Sequence, residues 1–166
     1  MAEVELRPLT ADLKSAAEVF AASIPERDKG FMDPFLFYQV AVNSWTQATP
    51  ARRIGAVEAG EVPRILGIVT VIPLTGWQRH VGEFRIVVLP DARGRGVGER
   101  LIQRGLALVE ELGLRKTTIE IMASNDAGLA LFERHGFVRE AVLTRHVQDG
   151  SGNLRDLVVL SKEFPR

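Results

Sequence analysis

The stretch RGRGVGERLI, residues 93–102, most limits the fold, because it follows an apolar segment and leads into an amphipathic helix. Its glycines let the backbone approach a ligand closely, and the first amide groups of a helix have no acceptor inside that helix. The helix dipole also favours negative charge at that end. Positive charge comes from arginines in or just after the stretch: Arg93, Arg95, Arg100 and Arg104. Asp91 and Glu99 oppose this charge locally, so we predict a strand–loop–helix unit that binds phosphate or pyrophosphate.

Three phosphate-binding motifs compete for this stretch. A P-loop ends in Gly-Lys-Ser/Thr, whereas Gly98 is followed here by Glu99 and Arg100. A dinucleotide fingerprint needs Gly or Ala at the position of Glu99. The pattern that remains is R-x-x-G-x-G, which begins at Arg93 and includes Gly96 and Gly98.

The composition limits which partners the chain attracts. With 21 basic and 21 acidic residues, no overall field draws it to nucleic acid or to an anionic membrane. It has no cysteine, and its three histidines, His80, His135 and His146, are not spaced as a ligand pair, so we expect no metal site. The N-terminus carries charges where a signal peptide has its apolar core, and no apolar run reaches the roughly 18 residues of a membrane span. We therefore expect a cytoplasmic protein.

Hydrophobic patterning predicts one α/β domain over residues 1–166. The expected order is a strand, two helices, a hairpin, a strand that leads into the glycine-rich loop and its helix, a strand with a short helix, and a final hairpin. Strands and helices that alternate in this way favour a mixed sheet with helices on its faces.

Local signals in the first third place the ends of these elements. We expect the first strand to stop at Pro8 and Thr10 to cap a helix over residues 11–24. Residues 25–30 are predicted as a loop, and the aromatic segment 34–49 as a second helix.

Turn residues place the later ends. Residues 59–63 and 148–153 are the predicted turns of two hairpins. Gly113 is expected to end the long helix, and Asn125 or Asp126 to cap the short one.

The order of these motifs resembles the GNAT superfamily of acyl-CoA N-acyltransferases. The resemblance covers residues 65–164: an apolar strand, Pro90, the R-x-x-G-x-G loop, an amphipathic helix, a strand, Asn125 and then LFERHGF. It implies a mixed, mostly antiparallel twisted sheet of six to seven strands, with helices on both faces and a parallel strand pair that splays apart. It also implies acetyl-CoA as cosubstrate, no metal, and transfer of the acetyl group to a primary amine by direct attack.

The same resemblance implies how the carrier binds. Backbone groups of Val87 and Val88 would pair with the pantetheine arm, as an added strand does. The residues expected to hold the pyrophosphate are Arg93, Arg95, Gly96, Val97, Gly98 and Glu99. Asn125 would reach the pantetheine from the other side, a role compatible with a helix cap. Phe132 would pack against the pantetheine or the core.

Acyl transfer also needs a base, because an amine of pKa ~10.4 is almost fully protonated at neutral pH. The strand over residues 82–89 should be apolar on both faces, yet Glu83 and Arg85 interrupt one face. By resemblance, Glu83 occupies the position of the catalytic carboxylate of many relatives; the alternative is an ion pair with Arg85. His80 is the second candidate base, since histidine has a pKa of ~6.5.

Several alternatives stay open. Phe132 stands where many relatives carry a tyrosine and cannot donate a proton, so a non-catalytic acyl-CoA-binding or sensing domain is the main rival; a nucleotide-binding regulator is the third. The acceptor is a small-molecule amine or a protein or peptide amino group. Aromatic residues that are candidates for the acceptor pocket are Phe31, Phe35, Phe37, Tyr38, Trp45 and Trp77. Apolar surface on the last strands is compatible with a homodimer.

Overall fold

One seven-stranded sheet organises residues 3–29 and 39–165, which are the residues that the computed structural model describes. Its strands are β1 (Val4–Pro8), β2 (Arg52–Glu58), β3 (Arg64–Pro73), β4 (Val81–Val88), β5 (Lys116–Met122), β6 (Val138–Gln148) and β7 (Leu154–Glu163). Their order across the sheet is β1-β2-β3-β4-β5-β7-β6. Every neighbouring pair is antiparallel except β4 and β5, which are parallel. The predicted mixed, mostly antiparallel sheet is confirmed.

Helices cover both faces of this sheet, as predicted. Those in the described ranges are α1 (Lys14–Ser23), α2 (Glu26–Lys29), α3 (Gln39–Ser44), α4 (Val97–Glu111) and α5 (Asp126–Arg134). Side chains alternate between the faces of a strand. Val69 of β3 therefore contacts α4, whereas Thr70 lies on the opposite face together with Phe20 of α1. None of these helices is long and apolar enough to cross a membrane.

The parallel pair β4–β5 is joined over a short length. The paired residues are Val81 with Lys116, Gly82 with Thr117 and Glu83 with Thr118, after which both strands continue without a ladder between them. The buried Thr117 hydroxyl donates to the Gly82 carbonyl at 2.8 Å. A Cβ at Gly82 would lie 2.7 Å from Leu114 Cδ1, so this end is closely packed. The predicted splay is confirmed, with its closed end at Gly82.

The N-terminal part corrects three expectations. Thr10 does not cap a helix with its side chain, since its hydroxyl donates to the Asp12 carboxylate, which Arg7 also binds. A charged acceptor makes the stronger hydrogen bond, and the helix starts instead with a 3-10 turn at Ala11–Leu13. The loop predicted over residues 25–30 contains α2. The helix predicted over residues 34–49 is the shorter α3 within the described residues, and its residues 34–38 lie outside them.

The predicted turns and caps of the second half are confirmed. Gly113 follows α4 with φ +67°, and Asn125 caps α5. The turn between β6 and β7 is built around Asp149, whose carboxylate accepts from Arg155 and from the N–H groups of Ser151 and Asn153. Arg155 and these amides hold the pKa of Asp149 at about 2, because they stabilise the ionised carboxylate.

Helix α4 lies unusually close to the sheet at Gly105. A Cβ there would be 2.5 Å from Phe84 Cζ and 2.8 Å from Val69 Cγ2. The ring of Phe84 is buried and also packs edge to face against Phe132 and Phe137. Gly105 therefore sets the distance between α4 and β4, the strand that continues into the region where β4 and β5 separate.

We expect Gly105→Ala to lower the free energy of unfolding by about 1–3 kcal/mol, because the added methyl collides with Phe84. Helix propensity alone predicts the opposite sign, a gain of about 1 kcal/mol. Denaturant unfolding of this variant and of Gln103→Ala, an exposed position on the same helix, measures the difference. A Gly105→Ala protein that is as stable as the parent contradicts the packing described above.

Candidate active site

A cleft opens where β4 and β5 part. It has a volume of about 890 Å³, within the range of ligand sites. Its walls are the carboxyl half of β4, residues 119–122 of β5, the glycine-rich loop and the start of α5. The residues predicted to bind the carrier that line it are Val87, Val88, Arg93, Gly96, Gly98, Glu99, Asn125 and Phe132. The sequence thus predicted most of the wall, and the roles of these residues stay predictions.

The register of β4 decides which of its backbone groups face the cleft. Leu89 N–H donates to Leu66 O and Leu74 N–H to Val81 O, both at 2.9 Å. Hydrogen-bonded pairs alternate along an antiparallel ladder, so Val87 is bonded to Ile68 of β3. The N–H groups of Ile86 and Val88 therefore point toward β5 and into the cleft. Of the two valines predicted to bind through the backbone, Val88 has the exposed amide and Val87 offers its side chain.

The loop before α4 presents a row of amide groups. Gly94 and Gly96 have φ values of +70° and +75°, a conformation that glycine adopts without strain. Nothing lies within 4 Å of the place where a Cβ would stand on either. The first bond of the helix joins Arg100 N–H to Gly96 O at 3.1 Å, so the amides of residues 97–99 have no acceptor inside the helix. An open row of amides at the start of a helix is an arrangement that suits an anion.

The positive charge of this loop is more strongly opposed than the sequence indicates, which corrects the prediction. Arg93 pairs with Asp28 of α2 at 2.9 Å and donates to the Val88 carbonyl at 3.2 Å. Arg95 pairs with Glu58 of β2 at 3.0 Å. Both carboxylates come from distant parts of the chain.

Two predicted carrier-binding residues contribute no side chain to the wall. The Arg95 side chain is held by Glu58, and Val97 is buried in the core. Further along α4, Arg100 donates to the Val4 carbonyl and Arg104 pairs with Glu111. Arg93 is thus the arginine of the loop whose side chain lines the cleft.

Asn125 and Phe132 connect the cleft to α5. The Asn125 Oδ1 accepts from Gly128 N–H at 3.0 Å, which is the predicted cap, and Asn125 also lines the cleft. Phe132 is buried and meets the ring of Phe137 edge to face, with centroids 5.1 Å apart. It therefore packs in the core while one edge closes the cleft.

Glu83 lies at the point where the two strands separate. Its Oε1 accepts from Arg85 Nε at 2.5 Å, and both side chains are about one-third exposed. This ion pair is the alternative that the sequence left open for Glu83. The structure therefore establishes the contact and leaves the role of Glu83 in proton transfer as a prediction.

His80 occupies an exposed turn just before β4. Its carbonyl accepts from the amides of Arg115 and Lys116, which fixes the chain, but its side chain lines neither the cleft nor the cavity beyond it. Its predicted function as a base stays a prediction. Among the described residues, no group of three or more acidic or histidine side chains is placed to hold a metal ion.

A smaller cavity of about 60 Å³ lies on the α1 face of the sheet. Ile86 and Val87 line both this cavity and the cleft, so the two spaces meet at β4. Trp45, one of the predicted acceptor-pocket aromatics, forms part of its wall beside Phe20. Trp77 is 92% exposed and lies elsewhere. The other predicted aromatics, Phe31, Phe35, Phe37 and Tyr38, are outside the described residues.

Solved structures share this architecture. An acetyltransferase of the GNAT family from Streptococcus pneumoniae superposes with a TM-score of 0.80 at 19% identity, covering 98% of this chain and 100% of that one. Spermidine N-acetyltransferase from Vibrio cholerae, solved with CoA and spermine, gives 0.77 at 21% identity over 96% and 95% of the two chains. The chain therefore has the fold of these acetyltransferases. The model of the Acetyltransferase (GNAT) family matches residues 17–137, well over half of the chain, and the chain belongs to that family.

Curated relatives match over shorter segments. Mycothiol acetyltransferase of Geodermatophilus obscurus is 43% identical over 63 residues, which is 37% of this chain and 20% of that protein. The ribosomal protein bS18 alanine N-acetyltransferase of Escherichia coli is 31% identical over 78 residues, 47% of this chain and 52% of its own length. The chain thus spans about half or less of the length of these two relatives. Both relatives are named as acetyltransferases.

We expect Asn125→Ala to lower the free energy of unfolding by about 1 kcal/mol, because Gly128 N–H loses its acceptor at the start of α5. Asn125→Asp should retain nearly all of that stability, since aspartate caps equally well. Denaturant unfolding measures both, with the exposed Asn153→Ala as the control. Equal stability of the two Asn125 variants would show that the cap contributes nothing.

Proposed function

We propose that the protein is an acetyl-CoA-dependent N-acetyltransferase that moves the acetyl group to a primary amine by direct attack. The observation that carries this proposal is the junction at Ile86 and Val87 between the large cleft, with its free amides, and the smaller cavity. One space suits a long phosphorylated carrier, and the other suits the group that receives the acetyl.

The residues present fit CoA. The amides of residues 97–99 and the open space above Gly94 and Gly96 suit a pyrophosphate, with Arg93 at the cleft wall. The inward N–H group of Ile86 suits the amide-rich pantetheine arm, which would extend the sheet from β4. Asn125 can donate to that arm from the opposite wall, because its oxygen alone is used in the cap.

Acetyl-CoA, when bound, supplies an acetyl group on a thioester whose carbonyl carbon accepts the amine nitrogen and whose thiol leaves. We propose that the Val88 N–H donates a hydrogen bond to the carbonyl oxygen of the thioester. This N–H faces the cleft, and Arg93 fixes the peptide on the other side of Val88 by binding the Val88 carbonyl. A well-aligned donor of this kind lowers the barrier by about 2.7–4 kcal/mol. Phe132 cannot donate a proton to the leaving group. The CoA thiol has a pKa of ~8.5, like that of cysteine, so it can leave as the thiolate without such a donor.

We assign deprotonation of the amine to Glu83. Glu83 pairs in register with Ile72 and forms an ion pair with Arg85, and both of these residues line the small cavity, so Glu83 lies at the edge of that cavity. A chain of water molecules can carry the proton from the amine to Glu83. His80 is the second candidate, because it lies three residues earlier at the same end of β4.

The acceptor class is a primary amine on a small molecule or a peptide. Named relatives acetylate either kind, as the spermidine and ribosomal-protein enzymes show. If the protein binds acetyl-CoA but transfers no acetyl group to any amine, it is a non-catalytic acyl-CoA sensor. Self-association and a cytoplasmic location remain parts of the proposal.

We expect acetyl-CoA to bind with micromolar affinity and to release CoA thiol when a suitable amine is present. Gly96→Ala should weaken acetyl-CoA binding roughly tenfold, because a methyl enters the space above the amides and the αL conformation costs about 1–2 kcal/mol. Calorimetric titration and a thiol-release assay measure these effects.

Gly113→Ala is the matched control, because Gly113 has φ +67°, nothing within 4 Å, and lies at the other end of α4. It carries the same backbone strain away from the cleft. Equal losses of acetyl-CoA affinity in both variants would assign the effect to stability and remove the loop from the site.

We expect Glu83→Gln to lower kcat by about 10²–10⁴, with little change in the KM for acetyl-CoA, because glutamine keeps the hydrogen bond to Arg85 but accepts no proton. Glu61→Gln, in the exposed turn before β3, is the control. The pH–rate profile should lose its acidic limb. An unchanged profile in the His80→Gln, Glu83→Gln double variant would reject both residues as the base.

A further inference from the structure

Two arginines face the small cavity from one row of the sheet. Arg53 of β2 pairs in register with Thr70 of β3, and Thr70 pairs with Arg85 of β4. Side chains directly opposite each other on neighbouring strands share a face. All three line the cavity, which is otherwise apolar except at its rim. A row with two cations at its ends is an unusual wall for an apolar space.

The charges in this row are not balanced. Arg85 has Glu83 as its partner at 2.5 Å. Arg53 donates to the neutral Thr49 hydroxyl at 3.3 Å, and no carboxylate of residues 3–29 and 39–165 lies within ion-pair distance of it. Burial lowers the pKa of Arg53, and the charge of Arg85 lowers it further. Among the described residues of this wall, one positive charge is therefore in excess.

The remainder of the wall is apolar and lies next to the cleft. Phe20 and Trp45 meet edge to face, with centroids 6.3 Å apart, and Ile68 and Ile72 complete that side. Val87 borders both spaces, two residues along β4 from Arg85. An acceptor whose amine reaches Val87 would therefore place its neighbouring atoms between the arginines.

We propose that the acceptor is a free α-amino acid with an apolar side chain, whose carboxylate is bound by Arg53 and whose amine is acetylated. The inference rests on the proposed function and names its substrate class. Arginine binds a carboxylate through paired N–H donors, which would balance the excess charge. The aromatic and branched side chains of the wall would receive the apolar side chain. Polyamines, which bring only positive charge, are disfavoured by the same row.

The step balances without a further reactant. The α-ammonium group first gives one proton to Glu83, and the neutral nitrogen then forms a bond to the acetyl carbon. The carbon–sulfur bond breaks, and the second proton of the nitrogen passes through water to the departing sulfur, so that CoA is released as the thiol. Arg53 takes no part in bond making and acts as a specificity-determining residue. Its effect should therefore appear in KM for the acceptor and in acceptor binding.

The test compares amino acids with their carboxamides: L-leucine with L-leucinamide, L-methionine with L-methioninamide and L-phenylalanine with L-phenylalaninamide. The carboxamide lowers the pKa of the amine, so intrinsic reactivity favours the amide. We expect the acid to have the lower KM by roughly tenfold to a hundredfold, the factor typical of a hydrogen bond to a charged group. Acid-specific thermal stabilisation of the enzyme gives a second readout that needs no turnover.

Arg53→Gln should bring the ratio of the two KM values close to one and abolish the thermal shift, and Arg53→Lys should restore part of both. Arg52→Gln is the matched control, since Arg52 is exposed on the opposite face of β2. Unfolding curves of all variants exclude a folding defect. If carboxamides or simple amines are acetylated as well as the acids, the inference is overturned while the acetyltransferase stands. If no thiol is released with any amine, the proposed function itself fails.

Discussion

The structure depends on how briefly β4 and β5 run together. Three residue pairs join them, and the buried Thr117 hydroxyl on the Gly82 carbonyl closes that end. Longer pairing would satisfy the backbone of β4 and remove the cleft. Because the ladder stops after Glu83, the Val88 amide has no strand partner on the β5 side. This open edge of β4 forms part of the cleft wall, where a ligand can bind to it.

The second constraint is electrostatic. A loop with several arginines at a helix start would repel itself, and Asp28 and Glu58 counter that repulsion from two other elements. Arg93 in turn holds the Val88 carbonyl, so the loop and the strand edge are fixed by one guanidinium. If the loop binds the carrier as proposed, backbone amides hold the anion more than free charge does, which suits a carrier that leaves after each turnover.

Local signals made much of this predictable. The features that could be predicted depend on residues close together in the sequence. They are the positive-φ glycines, the amphipathic stripe of α4, the Asn125 cap and the hairpin turns. The error in the charge of the glycine-rich loop comes from contacts between distant residues. Arg93 and Asp28 are 65 positions apart, and the need for glycine at residue 105 follows from a ring on another strand. The sequence alone does not show that Arg53 and Arg85 stand in one row of the sheet, because that depends on the register of three strands.

Ile86 and Val87 form a partition that is a single strand thick, with one compartment on either side. If the cleft holds the acyl donor and the cavity holds the amine, as proposed, a smaller residue at either position enlarges both spaces. Selectivity for the acyl group and selectivity for the amine would then change in the same substitution.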